Sequence, residues 1–540
     1  MNRILPVLCI AALAAAMPLH AQHGNHGGAA PAGSGLGEID FPTSAAPAAR
    51  PAFVRGVLYL HNFHYPQAAE AFREAQRLDP GDVMSFWGEA LTYTHPVWNE
   101  QDTARARAVL RRLAPTPAAR LALARTERER MYLQTAEALY GDGTKPARDT
   151  AFSAAMGRLH ARFPGDVEAA SFYALSLLGL NQGFREPVAY ARAADVSEAV
   201  FRAHPRHPGG AHYLIHAVDA PEHAARGLAA ADAYGGIAPE AAHAQHMTSH
   251  IYVAVGRWDD VVRTNVIAQS LPPESPGPIR WAHYTQWLVY ALLQQGREAD
   301  ARVWLDSLDA QRARLPDGVP GSQGARAFLV APAAAYVVDA GQWTSPYARM
   351  RVDPAGLGWS ASPQEFAVGY AALRRGEPAL ADSMIARLAA RGGEPENRPG
   401  YTAADRGYTR VMEGTLRALR LHAAGDADSA LVLLRAAGEL EASLPMAFGP
   451  PVTVKPPYEV LGELLLALGR PADAVPALER ALARTPGRSA VLLALARAHR
   501  AQGHRDEAVR RYTELAAVWQ HAPAGAPDVA EARAGAQGRW

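Results

Sequence analysis

The stretch LGELLLALGRPADAVPALERALARTP, residues 461–486, reads as two short helices joined by a turn. Apolar residues recur at helical spacing on both sides of Gly469, and Pro486 ends the unit because proline cannot continue a helix. The packing positions are Leu461, Gly462, Ala474, Leu478 and Ala481. The same register returns as Ala496, Gly503, Ala508, Tyr512 and Leu515; Gly469 and Gly503 are 34 residues apart, as are Ala474 and Ala508. A small residue lets the two helices approach closely, and a glycine permits the sharp turn between them. Such a unit buries its apolar face only against the next, so it implies an array.

The pattern extends to the other end of the chain. Gly56, Tyr59, Tyr65, Ala68, Phe72, Ala75 and Pro80 occupy the packing positions of a first unit. Further units end near Pro164, Pro205 and Pro239, and Gly256 and Gly296 read as turns followed by Val261 and Ala301. Residues 301–442 are less regular and read as degenerate helix pairs around Gly341, Gly376 and Gly425. The segment 443–457 is a proline-stiffened connection, expected to divide the array into two halves. This layout resembles the tetratricopeptide repeat superfamily, most specifically at 455–520. The resemblance implies an all-α, right-handed superhelical solenoid of helical hairpins. On this reading an N-terminal solenoid spans 53–300, a C-terminal repeat pair spans 458–520, and 521–540 is a tail.

At 540 residues the chain is too long for one compact core, which a repeat array accommodates. It is 49% hydrophobic with a net charge of +1, so bulk electrostatics give no case for nucleic acid or an anionic membrane surface. Residues 1–21 read as a secretory signal, with a basic start at Asn2-Arg3, an apolar run from Ile4 to Met17, and a cleavage site at Leu19-His20-Ala21. The run falls short of the ~20 residues a membrane-spanning helix needs, and no later segment is apolar enough to span. A periplasmic or secreted location is expected. Residues 22–52, rich in Gly, Ala, Pro and Ser, read as a flexible linker that carries His23 and His26. The single cysteine, Cys9, lies in the signal, so disulfides, thiolate metal sites and cysteine nucleophiles are excluded from the mature chain.

Histidines carry the chemistry. His212 and His216 are four apart, and His246 and His250 repeat the pair 34 residues later. His243, His246 and His250 share one helical face, as do His212, His216 and Asp219. Neighbouring helices pack roughly 8–10 Å apart, so imidazoles from both can meet on one ion with bonds near ~2.0–2.1 Å. In the superfamily resembled, these positions line the concave groove, and His283 and Tyr290 take equivalent places one unit later. Metal binding by His212, His216, His243, His246, His250 and Asp219 is the expectation, with zinc, copper or iron as the ion and nickel a further fit. Five imidazoles exceed one tetrahedral shell, so either two ions bind or some rings orient the others. Asp219 reads equally as a ligand or as the N-cap of a helix near 221–235. Met247 is expected to point off the face of His246. His204, His207 and His223 flank the cluster, and His61, Glu89, His95 and Trp98 suggest a second polar patch.

The run His207–Ile251, with Leu60–Phe63 and Phe448–Pro456, resembles a group of exported bacterial tetratricopeptide proteins. That resemblance implies fold and export and carries no reaction. The sequence lacks His-Glu-x-x-His, Gly-x-Ser-x-Gly and phosphate-loop motifs, so an enzyme reading rests on the histidines alone. If an ion activates water, Glu222 or Glu240 is the nearest base in sequence. The alternative is a non-catalytic scaffold that binds a peptide or protein partner in the groove, the histidines supplying hydrogen bonds. A third reading has them as structural packing only.

Overall fold

The computed structural model describes residues 35–181, 185–272, 282–314, 322–350, 358–393 and 402–540. The expected signal, residues 1–21, and the linker histidines His23 and His26 lie outside them. The described chain is all-α: it contains 25 α-helices, one two-residue antiparallel ladder (Thr94–His95 with Glu100–Gln101), and three short 3₁₀ turns. The helices form hairpins stacked in chain order, as a tetratricopeptide-like solenoid requires.

Three hairpins position the histidines. Their first helices are Pro208–Val218, Ala242–Val255 and Ala282–Gln294; their second helices are Ala224–Ile237, Trp258–Ser270 and Glu298–Ala313. The start of the first is fixed locally. Pro208 takes the opening position, where its missing N–H costs nothing, and His207 accepts the Gly210 N–H through its side chain at 3.1 Å. Gly209 is needed for close approach, since a Cβ there would lie 2.5 Å from His61 Nδ1. All eleven residues of this helix are buried, so it runs through the interior of the array.

Several boundaries differ from the sequence expectation. The linker was expected to reach residue 52, but 35–49 pack on the solenoid. Leu36 and Phe41 are each 4% exposed, Glu38 N–H donates to the Arg206 carbonyl (3.0 Å), and Ser44 donates to Glu129 through N (2.7 Å) and Oγ (2.8 Å). Composition suggested a tether; two apolar anchors and an acceptor 85 residues away make it a strap. At the other end, Pro527–Gly535 is a helix that buries Val529 and Ala532 and receives the Tyr512 hydroxyl on Glu531 (2.5 Å). Residues 301–442 contain regular hairpins at Ser362–Arg374/Pro378–Gly392 and Ala403–Ala423/Ala427–Ser443. Among the described residues, the irregular part is Ser322–Asp339, which is followed by 3₁₀ turns rather than by a second helix.

The proline-rich connection does not separate two halves. Residues 445–454 cross to the histidine helices. Gly449 has φ +73°, and a Cβ on it would lie 2.0 Å from Trp287 Cζ2, so only glycine fits this contact. Phe448 lies under the Arg185 guanidinium at 4.2 Å. The C-terminal repeats follow. Trp258 donates to the Gly487 carbonyl (2.9 Å) and Trp519 to the Gln294 carbonyl (3.0 Å). Arg488, 1% exposed, pairs with Asp339 at 2.6 Å and with Glu459, tying three separate hairpins together.

Replacing Arg488 by methionine leaves Asp339 buried without its cation and Glu459 with Lys455 alone, at 2.7 Å. We expect a loss of about 3–5 kcal/mol, read from the urea midpoint, whereas removal of an exposed pair such as Arg162–Glu127 costs under about 1 kcal/mol.

Candidate metal centre

The groove gathers six imidazoles into two triads. His212, His216 and His243 form the first; His246, His250 and His283 form the second, each triad offering one nitrogen per residue within 4.8 Å of the others. The division crosses the helices: His243 joins the preceding helix, while His246 and His250 join His283 on the following one. The triads are neighbours, with ring centroids 6.1 Å apart for His216–His250 and 6.3 Å for His243–His246. His212 to His250 are at most 5% exposed; His283 is partly exposed.

Outer partners fix three tautomers. His212 Nδ1–H donates to the His61 carbonyl at 2.6 Å. His246 Nδ1–H donates to Asn265 Oδ1 at 2.8 Å, and the amide is oriented by its own donation to the Val261 carbonyl. His250 Nδ1–H donates to Asp219 Oδ2 at 2.6 Å. In its neutral form each ring therefore presents an Nε2 lone pair. His246 Nε2 and His250 Nε2 then lie 3.2 Å apart. Two lone pairs facing at that distance repel unless a proton or a cation lies between them. Tetrahedral ligands with bonds near 2.0–2.1 Å stand about 3.3 Å apart, so the separation fits shared ligation. His212 Nε2 and both nitrogens of His216 have no hydrogen-bond partner among the described residues.

The electrostatics favour neutral rings, the form that binds metal. Burial, reinforced by neighbouring histidines, pushes His216, His243 and His246 well below the usual histidine range. Burial likewise lowers His212 and His283 to about 3. Phe63 walls the first triad. Its ring lies 4.3 Å from that of His212 and 5.4 Å from that of His243, and its backbone takes φ +58°, a left-handed conformation that costs about 1–2 kcal/mol.

Asp219 stands behind the rings. The helix it was expected to cap begins at Ala224, with His223 at its N-cap and no side-chain capping bond. Asp219 instead follows the end of Pro208–Val218 and accepts from His250. His204 and His223 are exposed, as are Glu222 and Glu240, so neither glutamate reaches the groove as a base. Met247 was expected to point away, yet it is 1% exposed and lines the cavity before the triads. It is four residues from His243 and three from His250, which puts it beside them on the edge of their face opposite His246.

A third group was not foreseen as a unit. Glu168, from the helix Val167–Leu178, receives His61 Nε2–H at 2.7 Å and His207 Nε2–H at 3.0 Å; the Tyr213 hydroxyl donates to His61 Nδ1 at 2.8 Å. Burial would raise Glu168, but the two histidines beside it outweigh that and hold it well below the carboxylate range. Every ring nitrogen and both carboxylate oxygens are engaged, so this group is a closed strut. It holds the His61 carbonyl against His212. His95, expected beside His61, stacks on Tyr65 at 4.1 Å and bonds Glu100 at 3.1 Å, while Glu89 is buried against Arg73 at 2.8 Å. Trp98, from the same stretch, does reach the groove, 5.9 Å from His243.

A cavity of about 320 Å³ opens in front of both triads, walled by His216, His243, His250 and His283 on one side and by the strap 445–454 on the other.

Residues 465–534 match the tetratricopeptide repeat family. Comparison with curated proteins gives no match. Similar solved structures include an APC/C hetero-tetramer of Cut9 and Hcn1 (13% identity, TM-score 0.27, covering 90% of this chain and 96% of that one). Yeast Tom70 (13%, 0.28, 91% and 96%) and a monomeric mutant of IFIT1 with Gppp-AAAA (11%, 0.35, 91% and 98%) are others. No helix among the described residues is long and apolar enough to cross a membrane.

The depressed histidines couple stability to pH. A ring at about 3 in the folded state binds a proton only after the unfolded chain, at about 6.5, has done so. The metal-free protein should therefore hold its full stability above pH 6.5. It should lose about 1.4 kcal/mol per pH unit from His212 alone as pH falls towards 3. Urea titrations at stepped pH measure this, and His212→Ala should flatten the slope.

Proposed function

We propose that this protein is an exported tetratricopeptide-like solenoid that holds two transition-metal ions, one on His212, His216 and His243 and one on His246, His250 and His283. The observation that carries the reading is the pair of Nε2 atoms 3.2 Å apart on His246 and His250, each with its Nδ1–H committed to an acceptor. A cation between them relieves the repulsion, and the unpartnered His212 Nε2 supports the same role for the first triad. Export is supported by the signal-like residues 1–21.

The donor set is three neutral imidazoles per ion with no thiolate, which suits copper, zinc or iron. Asp219 would orient His250 and raise its basicity in the manner of a carboxylate–histidine–metal relay. Three protein ligands per ion would leave room for water or a substrate, as in catalytic rather than structural sites. A metal-dependent reaction is therefore the reading we favour over storage. The groove an extended peptide would need is occupied beside the histidines by the chain's own strap, which counts against the scaffold alternative at this site.

Elemental mass spectrometry on untagged, periplasmically expressed protein should find two equivalents of metal. His212→Ala/His216→Ala and His246→Ala/His283→Ala should each retain one. No metal in the wild type, even after reconstitution with zinc, copper(II) and iron(II), would overturn the proposal and make peptide partners the next target.

Asp219→Asn should lower the affinity of the second ion 10–100-fold, measured by competition with a chromogenic chelator, and leave the first unchanged.

A further inference from the structure

The cavity before the triads has a character of its own. Its volume is about 320 Å³, at the lower end of small-molecule sites and enough for one or two fused rings. Trp98, Met247, Trp287, Phe328, Pro332 and Phe448 contribute apolar and aromatic walls. None of the described residues lining it is Asp, Glu, Lys or Arg. Apart from the histidines, the residues on it with a polar side-chain group are Gln286, Tyr290, Trp98 and Trp287.

One of those N–H groups is unmatched. Trp287 is 3% exposed, and its indole N–H has no acceptor among the described residues. A buried donor left so costs about 1–3 kcal/mol, which an oxygen in the cavity would recover. Trp287 also lies against the second triad, with ring centroids 4.3 Å from His283 and 5.1 Å from His250. Gly449 of the strap fixes it there. Trp287, four of the imidazoles and the aromatic walls thus line one space.

We infer that this cavity receives an aromatic molecule of one or two rings with an oxygen donor at one end, such as a phenol or aryl alcohol. The ring body lies among Trp98, Phe328 and Phe448, and the oxygen turns towards Trp287 and the triads. The body is assigned from the cavity alone; what meets the oxygen rests on the two-metal reading. A cationic head meets no carboxylate on the described lining. A sugar or peptide would lose hydrogen bonds to water that these walls cannot replace.

The test uses the full mature chain, metal-loaded and chelated, with 2-naphthol and 2-naphthylmethylammonium as probes of matched shape, read by calorimetry. 2-Naphthol should bind the loaded protein at least tenfold more tightly than the ammonium probe. Ala335→Trp, which fills the cavity from the helix Ser322–Asp339, should weaken 2-naphthol at least tenfold while both metal equivalents remain. Trp287→Phe should weaken it severalfold. Equal binding of the two probes, or unchanged affinity in Ala335→Trp, would overturn the inference. A protein without metal that still binds 2-naphthol, and loses it in Ala335→Trp, would leave the cavity assignment standing and sink the two-metal reading. A metal-replete protein indifferent to both probes would do the reverse.

Discussion

Everything at the groove depends on the register between stacked hairpins. The helices Pro208–Val218 and Ala242–Val255 begin 34 residues apart, and their histidines sit at matching heights. Because each residue turns a helix by about 100°, a slip of one position would swing every imidazole out of the groove. The packing that prevents this is unusually complete, since every residue of the first helix is buried. The register therefore costs little to maintain and fixes six rings at once.

That precision is paired with an electrostatic demand. Neutral imidazoles packed at ring separations near 5 Å, such as His212–His216 at 4.9 Å, cannot all be protonated in a buried site. The surroundings meet the demand from outside the ring cluster. A backbone carbonyl, an amide and a carboxylate each take one Nδ1–H, from His61, Asn265 and Asp219. The closed strut of His61, Glu168 and His207 secures the first of these. Residues that do not line the cavity before the triads thus decide which nitrogen faces it.

The helical class, the repeat length and five of the six rings were legible in the sequence, because all three are properties of local spacing. His283 was placed in the groove by the same spacing but lacks a partner four residues away, so it did not read as part of a cluster. Spacing also could not divide the rings into triads, since His243 pairs across helices rather than along its own. Glu168 and Asn265 stand on helices with no histidine pattern and gave no signal. Met247 does lie off the direction of His246, one residue away, but its spacing from His243 and His250 carries it to the cavity. The strap and residues 35–49 were read by composition as connection and tether. Composition reports the flexibility of a free chain and says nothing of the surface it will meet.

The contact of Gly449 with Trp287 changes what kind of object the solenoid is. An open repeat array is quasi-one-dimensional: each unit knows only its neighbours, and the ends can fray or shorten without consequence at the centre. Here the strap, Arg488 and Trp519 tie late repeats to helices that contain or adjoin His250 and His283. The chain behaves as a ring closed by non-covalent clasps. Its first seven hairpins can assemble as they emerge, with the histidine groove open to solvent, and the cavity gains its far wall only once the strap 445–454 has arrived. Closure makes one wall of the histidine cavity depend on a segment nearly two hundred residues downstream of the rings it faces.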